Sequence, residues 1–297
     1  MVCRGIRAGP LGVVVVIGLL VGGHARAEEE ARAEGDLGLG NFFTKGWDED
    51  WHPRKRRTPD MAILRATTNF LERELRLDYV LTDLRTGKYE AQHLAQGLIA
   101  YGVNRRLMLE VITNYQWNTP AQGAPQHGGG GGALVRAQLV ENDTQSYAFQ
   151  AKLAVPNRGI GQTQTSMAYT LTGWQDLQAV VPFLDRVGLY FSFTYENLLG
   201  SHAAGAREND ISYDVSLAKT WTRADQPVFG KFTTFLEFYA TTDLDGAHSG
   251  WTVATLTPGI RFWFLPVHSV IAGVDFPISS NPTFAAIYRV TYIMNFE

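Results

Sequence analysis

The sequence predicts an all-β protein: a transmembrane antiparallel up-and-down β-barrel of about 12 strands. Three observations carry that expectation. The N-terminus has the layout of a secretory signal. From residue 61 onward, segments of about ten to fourteen residues alternate apolar and polar side chains between turn-forming residues. Beyond the signal no apolar run reaches spanning length, and in lipid only helices and closed barrels satisfy every backbone group.

Residues 1–27, "MVCRGIRAGPLGVVVVIGLLVGGHARA", place Arg4 and Arg7 before an apolar run at 11–21 and end on Ala25-Arg26-Ala27. This is a signal peptide with an A-x-A cleavage site marked by Ala25 and Ala27. The run is shorter than the roughly 20 residues of a spanning helix. Cys3, the single cysteine, precedes that run, so the processed chain is expected to hold no disulfide, thiol nucleophile or cysteine metal site. A net charge of −3 argues against a nucleic-acid partner, which would favour a clustered basic surface. The short cluster Arg54-Lys55-Arg56-Arg57 reads as a solvated linker.

Residues 28–60 form an expected periplasmic leader, partly disordered. "EEEARAEGDLGLG" is acidic and glycine-containing, and "NFFTKGWDEDWHPRKRRTPD" is an aromatic, charged approach to the first strand. Trp47 and Trp51 suit either the lipid–water interface or the periplasmic mouth.

The barrel is expected over 61–297. "LRATTNFLERELRLDYVLT" (64–82) admits a helical reading, with Leu71, Leu75 and Tyr79 four apart. Alternation competes with it: Leu71, Leu75, Leu77, Tyr79 and Leu81 share one parity, and Glu72, Glu74, Arg76 and Asp78 the other. Arg73 alone breaks the rule. The rest of the chain decides for the strand. In "LMLEVITNYQW", Leu107, Leu109, Val111, Thr113, Tyr115 and Trp117 oppose Glu110, Asn114 and Gln116. "SYAFQAKLAV", "RVGLYFSFTYENL" and "ISYDVSLAKTW" repeat the pattern. A soluble sandwich would alternate as well. Connections help to separate the two: compact ones at "VNRRL", "ENDTQ" and "FLPVH" interleave with open ones such as "NTPAQGAPQHGGGGG" and "LLGSHAAGAREND", as in outer-membrane barrels.

The last segment, "AIYRVTYIMNFE", puts Tyr288, Val290, Tyr292, Met294 and Phe296 on one parity. It resembles the terminal strand by which outer-membrane barrels are recognised by the barrel-assembly machinery, with Glu297 as a one-residue departure.

With apolar parities facing lipid, the lumen collects Glu72, Glu74, Arg76, Asp78, Glu110, Arg136, Lys152, Glu196, Asp214, Glu237, Arg261, Asp275 and Arg289, eight acidic and five basic. Such a lumen is either a charge-lined path with a slight cation preference or a salt-bridged filling that conducts nothing. Catalysis is not expected. His248 and Ser249 invite comparison with the outer-membrane phospholipase, but adjacent side chains in an extended segment point apart, and no orienting third group is evident. The histidines are dispersed, with no metal-ligand spacing, and the glycine run at 128–132 lacks a phosphate loop's Lys-Ser/Thr ending and reads as a flexible loop that could gate the pore. No cofactor or metal is expected.

"TPDMAILRATTNFLERELRLDYVLT", "GLIAYGVNRRLMLEVITNYQW", "LTPGIRFWF" and "VIAGVDFPIS" together resemble the outer-membrane β-barrel transporter family associated with the meta-pathway of phenol degradation. The resemblance implies a barrel in the outer membrane of a Gram-negative-type envelope that admits aromatic or other small hydrophobic compounds. It supplies no substrate residues. The expected function is therefore passive diffusion of small solutes through the lumen, with outer-membrane lipids, the assembly machinery and a small-molecule solute as partners. A non-conducting structural or adhesive barrel and an outer-membrane lipid hydrolase remain open.

Overall fold

The computed structural model describes residues 36–51, 64, 70–85, 89–120, 124–156, 164–199, 208–222, 229–280 and 282–296. Ala25, Ala27, the basic cluster at 54–57 and Glu297 lie outside these. Twelve antiparallel strands follow one another in sequence order: β1 (Glu74–Leu84), β2 (Tyr89–Gly102), β3 (Leu107–Pro120), β4 (Gln126–Glu141), β5 (Gln145–Val155), β6 (Thr165–Asp176), β7 (Val187–Leu199), β8 (Asn209–Thr220), β9 (Gly230–Asp243), β10 (Thr252–Leu265), β11 (His268–Pro277) and β12 (Phe284–Asn295). Each pairs with its neighbours in the chain, and β12 returns to β1 to close the barrel.

Closure leaves no strand edge open, which is what lipid demands of a sheet. The closing pair runs from Glu74 opposite Asn295 to Leu84 opposite Phe284, with a bulge at Asp83/Leu84. One more rung follows, since Phe296 N–H donates to Arg73 O at 2.9 Å. Among the described residues no helix is long and apolar enough to cross a membrane.

The two-residue period that distinguishes strand from helix holds in three dimensions. Leu77, Tyr79, Leu109, Val111, Tyr115, Phe149, Leu153, Phe193, Leu217, Tyr288 and Val290 are exposed on the outside. The opposite parities, such as Glu74, Arg76, Glu110, Arg136, Gln150, Thr170 and Ser216, are buried within. A large exposed apolar surface wrapped around a polar interior suits lipid and not water. Aromatic rings gather outside near one rim, where Tyr79, His93 and Trp117 pack together and the His93 and Trp117 rings stack at 4.9 Å. Such rings favour the membrane–water interface.

Short turns lie at one end of the barrel, at 103–106, 142–144 and 266–267, with 177–186 and 221–229 longer. That end, which also receives the leader, is called the turn end below.

The glycine run is not a loop. Gly128–Gly132 belong to β4, and each stands opposite a residue of β3 from Gln116 to Ile112. Backbone pairing overrides composition here. A Cβ at Gly131 would lie 2.6 Å from Ile112 O, and one at Gly132 would lie 2.5 Å from Leu153 O, so the sheet closes on these positions more tightly than a side chain permits. The connection itself is only 121–125.

Candidate functional site

Among the described residues the interior holds three charged clusters and two apolar ones, the smaller formed by Leu98, Ala100, Met108, Ile112 and Leu134. On β1, β2 and β12, Asp78 is the hub. Arg76 Nε donates to its two oxygens at 2.8 and 3.1 Å, and Thr291 Oγ1 donates at 2.5 Å. Gln96 Nε2 reaches it at 3.5 Å. On β10 to β12, Asp275 accepts from Thr257 at 2.7 Å and from Arg289 at 2.8 Å, and Arg261 reaches Ser269 Oγ at 3.3 Å. On β3 to β5, Arg136 donates to Gln150 Oε1 at 3.0 Å and lies 3.9 Å from Glu110.

Of the other charged residues singled out in the sequence, Glu74, Asp214 and Glu237 are buried on inward parities of β1, β8 and β9. Glu196 is half-buried on β7 and Lys152 half-buried on β5. Glu72 precedes β1 and is half-buried, its carbonyl accepting from Gly102 N–H at 3.0 Å. The structure thus distributes these charges among separate clusters instead of one continuous ring.

The larger apolar cluster sits at the turn end. Trp174, Tyr190, Ala218, Phe235, Ile271 and Ile293 point inward from six strands and pack with Leu64 and Phe70, which precede β1. Phe70 is 1% exposed, its ring 5.6 Å from Trp174. Polar neighbours fix both residues: Arg136 donates to Phe70 O at 3.0 Å, and Leu64 N–H donates to Glu237 Oε2 at 3.0 Å. Nothing in the alternation announced that residues preceding the first strand enter the barrel.

Above this cluster, toward the opposite end, a cavity of about 290 Å³ opens in the lumen. One part of its wall is aliphatic, from Leu64, Val80, Leu94, Leu98 and Ile112. Charges come from Arg76, Asp78, Glu110, Lys152 and Arg289.

Residues 36–51 are fastened to the turn end. Leu37 bridges to Glu141 and Asp50 to Asn104. Arg106, in the β2–β3 turn, is fully buried beneath them. It donates to Lys45 O at 2.8 Å, Gln138 O at 2.9 Å, Leu139 O at 3.0 Å, Asn41 O at 3.2 Å, Gly38 O at 3.3 Å and Asn41 Oδ1 at 2.6 Å. Bonds from a charged donor are worth roughly 1.5–3 kcal/mol each, so this residue is the main tie of the leader. Beside it Arg105 hydrogen-bonds Glu49, the main reason that the Glu49 carboxyl lies below the usual carboxylate range.

Trp51 N–H donates to Leu71 O at 2.9 Å, and the Arg73 guanidinium lies 4.4 Å from both the Trp51 and Tyr101 rings. This explains the one charge out of phase in the opening alternation. Arg73 is at the rim, held between two aromatics. Trp47 N–H donates to Phe42 O, and its ring meets Phe42 edge-on at 5.5 Å.

The side chains compared with a lipase do not engage each other. Ser249 Oγ donates to Leu244 O at 2.9 Å, while His248 packs on Trp251 at 4.5 Å. Among the described residues no group of acidic, histidine or cysteine side chains could hold a metal ion.

No protein-family model matches the chain, and no curated protein matches it in sequence. Solved structures share its architecture. An outer-membrane channel from Pseudomonas putida F1 superposes with a TM-score of 0.53 at 11% identity, covering 80% of this chain and 98% of that one. The NanC porin gives 0.52 at 10% identity, covering 76% and 99%. The β domain of the Bordetella autotransporter BrkA gives 0.50 at 11%, also covering 76% and 99%. The chain has the fold of outer-membrane β-barrels.

Proposed function

We propose that the protein is an outer-membrane channel through which small solutes diffuse passively, narrowed at its periplasmic half by the apolar cluster around Phe70. The observation that carries this reading is the cavity. It lies in the lumen of a closed barrel and offers charged and aliphatic walls together, whereas a purely structural interior would be filled. The architectural likeness to a channel and a porin supports it. The resemblance to the transporters of the phenol meta-pathway extends it to aromatic solutes. In this reading the turn end is periplasmic, and the outward row Tyr288, Val290, Tyr292 and Met294 of β12, with Phe296 beyond it, is what the assembly machinery reads.

The test is single-channel recording in a planar bilayer. The wild-type protein is expected to give discrete openings, and Phe70→Ala, which removes the ring packed on Trp174, larger ones. A folded protein in which neither form conducts would leave the non-conducting barrel as the better reading, with its loops binding a partner.

A further inference from the structure

The charges read from the sequence lean acidic, but those at the cavity do not. Three cations, Arg76, Lys152 and Arg289, reach its wall against two carboxylates, Asp78 and Glu110. Two of the cations are committed: Arg76 to Asp78 at 2.8 Å and Arg289 to Asp275 at 2.8 Å. Glu110 is buried and lies 3.9 Å from Arg136. The half-buried Lys152 has no hydrogen bond or ion pair among the described residues. Toward β3, the next inward position of β4 after Leu134 is Gly132, which adds no side chain between Lys152 and Ile112.

An ammonium with no hydrogen-bonded partner, beside an aliphatic wall and in a lumen partly shielded from water, favours one kind of guest. A carboxylate meets it in a charge-assisted bond, and an apolar body covers the aliphatic surface. An amine would face three cations against two carboxylates, of which Asp78 already accepts from Arg76 and Thr291. Small-molecule pockets span roughly 300–1,000 Å³, so a cavity of about 290 Å³ takes a single ring or a short branched chain and no oligomer.

We propose that this cavity is a binding site for a small carboxylate with an apolar body, its carboxylate on Lys152 Nζ and its body against Leu94, Leu98 and Ile112. The proposal rests on the solute-channel reading above and makes it specific.

The experiment is calorimetric titration of the purified protein in detergent micelles with benzoate, its neutral isostere benzamide, and benzylamine. Benzoate is expected to bind, with benzamide weaker by on the order of tenfold, the least that loss of a charge-assisted hydrogen bond costs, and benzylamine weaker still. Lys152→Gln should lower benzoate affinity by a similar factor, and Lys152→Arg should retain it. Unboiled gel mobility reports whether each variant is folded. No heat with benzoate, equal binding of benzamide, or wild-type affinity in folded Lys152→Gln would each overturn the site. Calorimetry requires no current. A protein that binds benzoate without conducting would overturn the channel and keep the site, and one that conducts without binding would do the reverse.

Discussion

Glu49 and Arg105 meet where the leader crosses the β2–β3 turn, and their pairing makes the leader sensitive to acid. The hydrogen bond from Arg105 lowers the Glu49 pKa from its ordinary 4.5, so the folded form binds its proton less readily than the unfolded form does. Stabilisation from such a group is fully present above the ordinary value and is lost as pH falls through the lowered folded value. Amide protection of residues 36–51 by hydrogen exchange should therefore hold steady from about pH 7 down to about pH 5 and fall as the pH drops below the ordinary 4.5. Glu49→Gln should remove that pH dependence, and protection in the wild type that stays flat across the range would sink the idea. Neither this pair nor Arg106 was legible in the sequence. "VNRRL" reads as a turn because short polar stretches between alternating runs are turns. That one of its arginines is buried under a segment about sixty residues earlier is a tertiary fact with no local pattern behind it.

The strands themselves were legible, because a barrel wall between lipid and a polar lumen imposes the same period on every one of them. The exceptions mark where something other than that wall decides. Arg73 is out of phase because it is at the rim. The glycine run looked like a loop because flexible composition predicts one, yet pairing with β3 holds it extended. Gly102, at the end of β2, shows a third pressure, the close approach of another segment. A Cβ there would lie 2.2 Å from the Trp51 ring. Gly102→Val should drive the indole off, removing its bond to Leu71 O and its stacking on Arg73 while leaving the barrel closed. Those two contacts together are worth on the order of 1–2 kcal/mol, so trypsin should cleave after Lys45 roughly tenfold faster. An unchanged rate would mean that Arg106, the Arg105–Glu49 pair and the bridges of Leu37 and Asp50 fasten the leader without Trp51.

Across the whole molecule, the step that alternation cannot specify is closure. β1 and β12 lie at opposite ends of the sequence, and a backbone ladder and side chains join them across the seam. Inside the barrel Thr291 crosses to Asp78, and Asp78 also carries Arg76, whose side chain is 9% exposed against 10% for its partner. Charges this far from water are costly when one is left alone. Removing one member of such a pair typically costs about 3–5 kcal/mol, whereas replacing both by apolar groups of similar volume is often neutral or favourable. Asp78→Ala should therefore lower barrel stability by about 3–5 kcal/mol in denaturant unfolding from micelles, because Arg76 and Thr291 lose their acceptor together. The double variant Arg76→Met/Asp78→Leu should recover most of it. If the single and double variants are equally unstable, the seam is held by its backbone ladder and outward aromatic row. If Asp78→Ala alone is harmless, Arg76 has found water, and the lumen at that level is wetter than its burial implies.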